Sequence, residues 1–203
     1  MNKMSMRFGL MVVFSLAAAL LFFACASAPT EEITASRTAV TTAQTDDVKT
    51  YAQDSLKNAE DTLSKAMAAV QEQDNKFALS RDYKAASDLL KQAKDLAAKA
   101  ESDAQANKAK AKADSETIIV GLTQLLADAK KALATAPRGK DTKAELEAMQ
   151  NDLKAAEEAS AAATQAMTQE KFNDALAQAK TAKDKADLII QQVTAAKAKI
   201  KGR

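Results

Sequence analysis

The chain has no histidine and no tryptophan, and its 203 residues include one cysteine, two prolines and four glycines. Each shortage closes off some chemistry. Without His there is no Ser–His triad, and the Glu-x-x-His pairs of di-iron helical bundles are missing too. The only thiol, Cys25, has no partner for an internal disulfide. No Gly-rich phosphate cradle and no Gly-bearing calcium loop is present. An excess of one charge is lacking as well. Lys3 and Arg7 account for the net +2, and residues 26–203 hold 27 basic and 27 acidic side chains, finely interleaved. A nucleic-acid groove needs a positive field, so no nucleic-acid partner is expected. Adjacent acids (Glu31-Glu32, Asp46-Asp47, Glu157-Glu158) point in different directions on a helix and read as solvated surface. The expectation is a non-enzymatic protein with no catalytic, cofactor-binding or metal-binding residues.

What is present starts with an address. Lys3 and Arg7 precede an apolar run from Phe8 to Phe23, and small residues follow at Ala24, Ala26, Ser27 and Ala28. A basic start, a short apolar stretch and a small-residue exit make a secretory signal, here residues 1–24. The run falls short of the ~20 residues that a spanning helix needs. Two processing readings compete. Ala24-Cys25-Ala26 is a site that an ordinary signal peptidase could cut, releasing a soluble periplasmic binding or chaperone-like module. Phe22-Phe23-Ala24-Cys25 instead resembles a bacterial lipobox, with Phe22 and Phe23 in place of the usual Leu-(Ala/Ser) pair. A lone free thiol is a liability in an oxidising compartment, whereas a thioether is not, and this favours Cys25 as a lipidation site. Lipoproteins of this type carry three acyl chains, and more than one chain makes attachment stable. Ala26 is not the Asp that retains many such proteins at the inner membrane, so resemblance implies an outer-membrane location. The membrane-lipid partner is expected through acylated Cys25.

Alanine supplies 44 of the 178 residues after Cys25, where Gly occurs only at 121, 139 and 202 and Pro only at 29 and 137. This composition favours helix almost throughout. Phe172, Ala175, Ala179, Ala182, Ala186, Ile189, Val193, Ala196 and Ile200 follow alternating steps of three and four, a heptad seam. Leu146, Met149, Leu153, Ala156, Ser160, Ala163 and Met167 do the same, with only Ser160 off-type. A short turn near 168–171 makes these two helices an antiparallel hairpin, 142–201. Pro137 and Gly139 break the chain ahead of it, and Thr142 to Glu145 read as a capping box. Upstream, Ala52, Leu56, Ala59, Leu63, Ala66, Val70 and Phe77 form one seam. Tyr83, Ala86, Leu90, Ala93, Ala97, Ala100 and Ala104 form its partner after a turn around 80–82. The two hairpins share similar strings (LKNAED at 56–61, LKAAEE at 153–158), which duplication or Ala/Lys bias would equally produce.

Ile119, Leu122, Leu126, Ala129, Leu133 and Ala136 resume the spacing one position out of register. Either one long helix contains a skip or it breaks near Asp114-Ser115. The expected organisation is a tether at 25–30, a helical hairpin unit at 31–113 that opens with a short helix, a connecting helix at 114–136, and the hairpin at 142–201. The predicted fold is all-α: elongated antiparallel hairpins, coiled-coil-like, with Ala-rich seams. Phe77, Tyr83, Leu90 and Phe172 are among the expected core anchors. The apolar stretch TIIVGLTQLL (117–126) reads as core, with Gly121 allowing close helix contact. A larger core would need another chain, and a homo-oligomer is one source of it.

Tyr51-Ala52, Leu56 to Ala59 and the Asp82-Tyr83-Lys84-Ala85-Ala86 turn, placed behind the signal, carry a family resemblance. Residues about 25–113 resemble the bacterial envelope proteins grouped as domain of unknown function 4398. Some relatives follow this unit with a peptidoglycan-binding domain, where this chain has a second hairpin. The resemblance implies location and fold rather than an activity. The function expected is a lipid-anchored spacer or interaction scaffold of the cell envelope, with envelope proteins or peptidoglycan-associated components as partners.

Overall fold

A computed structural model of the chain describes residues 27–139 and 142–201, so residues 1–26, Cys25 among them, lie outside the described residues. The fold is all-α, with no strand among the described residues. Six helices follow in order: α1 Thr30–Ala43, α2 Asp46–Tyr51, α3 Gln53–Asp74, α4 Lys84–Ala134, α5 Lys143–Thr168 and α6 Phe172–Lys201. The chain is interrupted between α1 and α2. The first ends at Ala43 with Gln44 as its C-cap, and Thr45 caps the next, its Oγ1 accepting from the Val48 N–H at 3.3 Å. After Gln105 the chain divides into two compact units.

In the first unit α3 runs antiparallel to the start of α4. Leu56 and Ala59 share a cluster with Ala97, Ala100 and Ala104, while Ala66 and Val70 pack with Tyr83, Ala86 and Leu90. Ser55 Oγ donates to Asp103 Oδ2 at 2.6 Å across the pair. The short helix α1 completes a three-helix bundle and lies parallel to α4: Glu32 meets Ser87 and Lys91, and Val40 and Ala43 join the Ala97 cluster. The buried Ser36 hydroxyl donates to the Leu90 carbonyl at 2.7 Å. A hydroxyl that reaches a main-chain oxygen of another helix marks a close approach of the two backbones. Small side chains on both faces permit it.

The second unit repeats the order up, down, up. Residues 106–134 of α4 form its first helix, α5 returns and α6 lies parallel to α4. Leu122 packs with Ala159, Ala163, Ala179 and Ala182. Ala129 and Leu133 pack with Met149, Leu153, Ala186, Ile189 and Val193. The Asp152–Lys185 ion pair, at 2.6 Å, joins α5 to α6. Here too a buried serine bridges helices, Ser115 Oγ donating to the Ala111 carbonyl and, at 3.3 Å, to that of Phe172. The register slip on α4 does not break it. Ala111 and Leu122 are both buried eleven residues apart, with Ser115 between them. Eleven residues make three turns at 3.67 per turn, close enough to the natural 3.6 for a helix to absorb.

Several expectations need correction. Phe77 is not in the core: α3 ends at Asp74, and Phe77 is 75% exposed in the loop that follows. Ile200 is 60% exposed near the end of α6, whereas Phe172, Ala175, Ala179, Ala182, Ala186, Ile189 and Val193 are buried as read. On α5, Ala159 and Ala166 are buried beside the read seam, because a helix with two neighbours buries a wider stripe than a two-helix seam. Gly121 faces open space, with nothing within 4 Å of where a Cβ would stand. The capping box does not form. Thr142 Oγ1 instead accepts from the Gly139 N–H at 2.8 Å, closing the loop before α5.

The α5–α6 turn forms a Schellman pattern. The Lys171 N–H bonds to the Ala166 carbonyl at 3.0 Å and the Glu170 N–H to that of Met167 at 3.1 Å. Glu170 holds φ 57, a conformation that glycine adopts without steric cost. Glu170→Gly is expected to raise unfolding free energy by about 0.5–1 kcal/mol, read from denaturant melts; a loss of stability would contradict this turn. In the opposite direction, Ala182→Leu adds bulk where the native side chain is fully buried. It should cost about 1–3 kcal/mol, and a neutral result would mean the helices do not approach closely there.

Candidate functional site

Of the residues singled out in the sequence, Cys25 lies outside the described residues. The structure does show where the chain enters the first unit. Ala28 packs against the cluster of Ala66, Val70, Tyr83, Ala86 and Leu90. The Thr30 N–H then bonds the Ala28 carbonyl and the Ile33 N–H that of Pro29, so α1 starts at once. Pro at this position suits a helix start, where its missing N–H would have had no intrahelical partner.

The α3–α4 loop, residues 75–83, leaves the same end of that unit. Its shape is set by side chains reaching main-chain groups. Arg81 donates from Nη2 to the Asp74 carbonyl at 2.8 Å and from Nε to the Lys76 carbonyl at 3.1 Å. Gln73 Oε1 accepts from the Asp82 N–H at 3.0 Å, and Asp82 Oδ1 accepts from the Lys84 N–H at 2.9 Å at the head of α4. A single 3-10 turn, Ala78–Ser80, crosses the tip, with both Ser80 donors on the Phe77 carbonyl at 2.8 Å. Beneath it the Tyr83 hydroxyl donates to Asp74 Oδ1 at 2.6 Å. This bond, then burial, then the negative charge of Asp74 raise the phenol above its ordinary 10.0, against a smaller lowering by Arg81.

The other stretches singled out are structural. Ile118, Ile119, Leu122, Leu125 and Leu126 of the apolar run face α5 and α6, and Val120 is 81% exposed. Pro137, Arg138 and Gly139 form the loop after α4, while Lys140 and Asp141 lie outside the described residues. An open groove of about 740 Å³ runs between the ends of α5 and α6, walled by Pro137, Met149, Asp152, Gln192 and Ile200 among others. Its Asp152 is paired with Lys185. Among the described residues no three His, Cys, Asp or Glu side chains cluster as a metal site would require. The exposed Phe77 and Leu79 were not legible as a site, since a seam read at helical spacing placed Phe77 inside.

Residues 31–115 match the family model of a domain of unknown function, DUF4398, and resemble that family. No curated protein and no solved structure matches the chain. The matched stretch covers α1 to α3 and the part of α4 that ends at Ser115; α5 and α6 lie beyond it.

The Tyr83–Asp74 bond links pH to the stability of the first unit. A phenol whose folded pKa is raised stabilises the fold fully below its unfolded pKa, and that contribution is lost as pH rises through the folded one. In a Tyr51→Phe background, phenolate titration of Tyr83 should give a midpoint above 10.0. Asp74→Asn should bring it back toward that value. A midpoint at or below it in the Asp74 protein would contradict the bond.

Proposed function

We propose that this chain is a lipid-anchored, non-enzymatic component of the cell envelope, held at the outer membrane through Cys25, whose helical body serves as a scaffold for other envelope components. The observation that carries the reading is the lone Cys25 behind a basic start and a short apolar run, and the short link from it to the fold sets where the bundle would stand. Ala28, three residues after Cys25, is already packed among α1, α3 and α4. At no more than ~3.6 Å per residue, the link spans at most about 11 Å. A bundle that begins this close to an acylated cysteine stands on the membrane surface. The basic start, the apolar run from Phe8 to Phe23 and the absence of a thiol partner support the same reading. Inside the bundles, every buried side-chain polar atom among the described residues has a hydrogen-bond partner. Such polar groups hold helices together.

The test combines mass and location. The peptide that begins at Cys25 should carry acyl mass, and the parent protein should fractionate with membranes. Cys25→Ser should move the protein to the soluble fraction. A parent without acyl mass on Cys25 contradicts the proposal and favours release as a soluble periplasmic module.

A further inference from the structure

The loop after α3 shows water two large apolar side chains that its own architecture holds outward. Phe77 is 75% exposed and Leu79 61% exposed, on either side of Ala78. Their exposure does not come from slack in the chain. Arg81 clamps the carbonyls of Asp74 and Lys76, Gln73 holds the Asp82 amide, and Ser80 closes the tip onto Phe77. Apolar side chains exposed together, unlike Val120 and Ile200 which stand singly, make this loop a candidate contact surface.

The partner is indicated by where the chain leaves the unit. Val70, one turn before the end of α3, belongs to the same cluster as Ala28. Four more residues to Asp74 carry α3 about 6 Å farther toward that end at 1.5 Å per residue. The loop therefore projects from the end of the bundle at which the chain heads back to Cys25. Its charges are mixed, Lys76, Arg81 and Lys84 against Glu72, Asp74 and Asp82, with Lys76 paired to Glu72 at 3.0 Å. An anionic-lipid site would show a basic cluster here. This loop has an apolar tip and balanced flanks.

We propose that Phe77 and Leu79 insert into the outer boundary of the lipid bilayer beside the acylated Cys25, giving the first unit a second contact with the membrane. This rests on the lipid-anchor reading. The acyl chains hold the protein on the bilayer, and the loop fixes the bundle's tilt by placing its end in the headgroup region. The contact is apolar, so it needs no anionic lipid and is insensitive to salt.

The chain's lack of tryptophan supplies the experiment. Phe77→Trp puts a single reporter in the loop, and Asn58→Trp puts one on an exposed position toward the other end of α3. Each full-length protein, purified from a lipidating host, is reconstituted into phosphatidylcholine vesicles with brominated acyl chains, and the mass of the Cys25 peptide is measured on the same sample. The expected result is several-fold stronger quenching at position 77 than at 58, unchanged by added salt. Equal quenching at the two positions overturns the loop proposal. A blue-shifted but unquenched tryptophan at 77 also overturns it, by assigning the loop to a protein neighbour. The acyl mass decides the anchor separately: quenching at 77 without acyl mass keeps the loop contact and removes the lipid anchor.

Discussion

The close approach of alanine-faced helices is the constraint from which the rest of this structure follows. Ala43, Ala59, Ala66, Ala93 and Ala100 in the first unit, and Ala129, Ala156, Ala163, Ala175, Ala179, Ala182 and Ala186 in the second, are fully buried. A methyl group buries little area, so each contact contributes modestly at about 25 cal/mol per Å². What it permits is backbone proximity, and the two buried serines make use of that. Ser36 and Ser115 reach carbonyl oxygens on the neighbouring parallel helix, Leu90 and Phe172 respectively. Larger residues at these places would force the helices apart, breaking the Ser36–Leu90 bond and leaving Ser115 only its bond to Ala111 on its own helix. Leu90, Leu122, Ile189 and Val193 then fill the wider spaces between alanine layers.

A core of this kind leaves the outer faces to charge. Lys84–Asp88, Lys99–Asp103, Lys110–Asp114, Lys154–Glu158 and Lys183–Asp187 are all pairs at i and i+4 with the lysine first. That order is the weaker one on a helix, and water screens pairs this exposed, so they add little to stability. Val120, Leu188 and Ile200 are exposed singly, whereas Phe77 and Leu79 stand together in one loop. The loop that carries them leaves the end of the first bundle at which Ala28 packs, and the scaffold and membrane-contact proposals both rest on that end.

Most of the helical body was legible because alanine and leucine repeat at helical spacing with few breaks. The α6 seam is buried from Phe172 to Val193, and the α4 seam from Tyr83 to Ala104. What remained hidden required a third helix or a side chain's choice of partner. Ala159 and Ala166 are buried because α5 has neighbours on two sides, which a single seam does not encode. The continuity of α4 past Ser115 depends on an eleven-residue step that a heptad reading treats as a fault. Phe77 stood at an acceptable interval from Val70, yet Arg81 ties the chain back to Asp74 and turns the phenyl ring out. Thr142 had the spacing of a cap, but its hydroxyl closes the preceding loop instead. The loop tip was therefore the least readable part of the candidate site.

The central claim is that each unit is a three-helix bundle closed by alanine contacts between its parallel helices. Nuclear Overhauser contacts between alanine methyl groups in solution test it most directly. The account predicts contacts from Ala43 on α1 to the Ala97–Ala100 region of α4, and from Leu122 on α4 to Ala179 and Ala182 on α6. Contacts confined to the α3–α4 and α5–α6 pairs, with α1 and residues 106–134 making none, would contradict it.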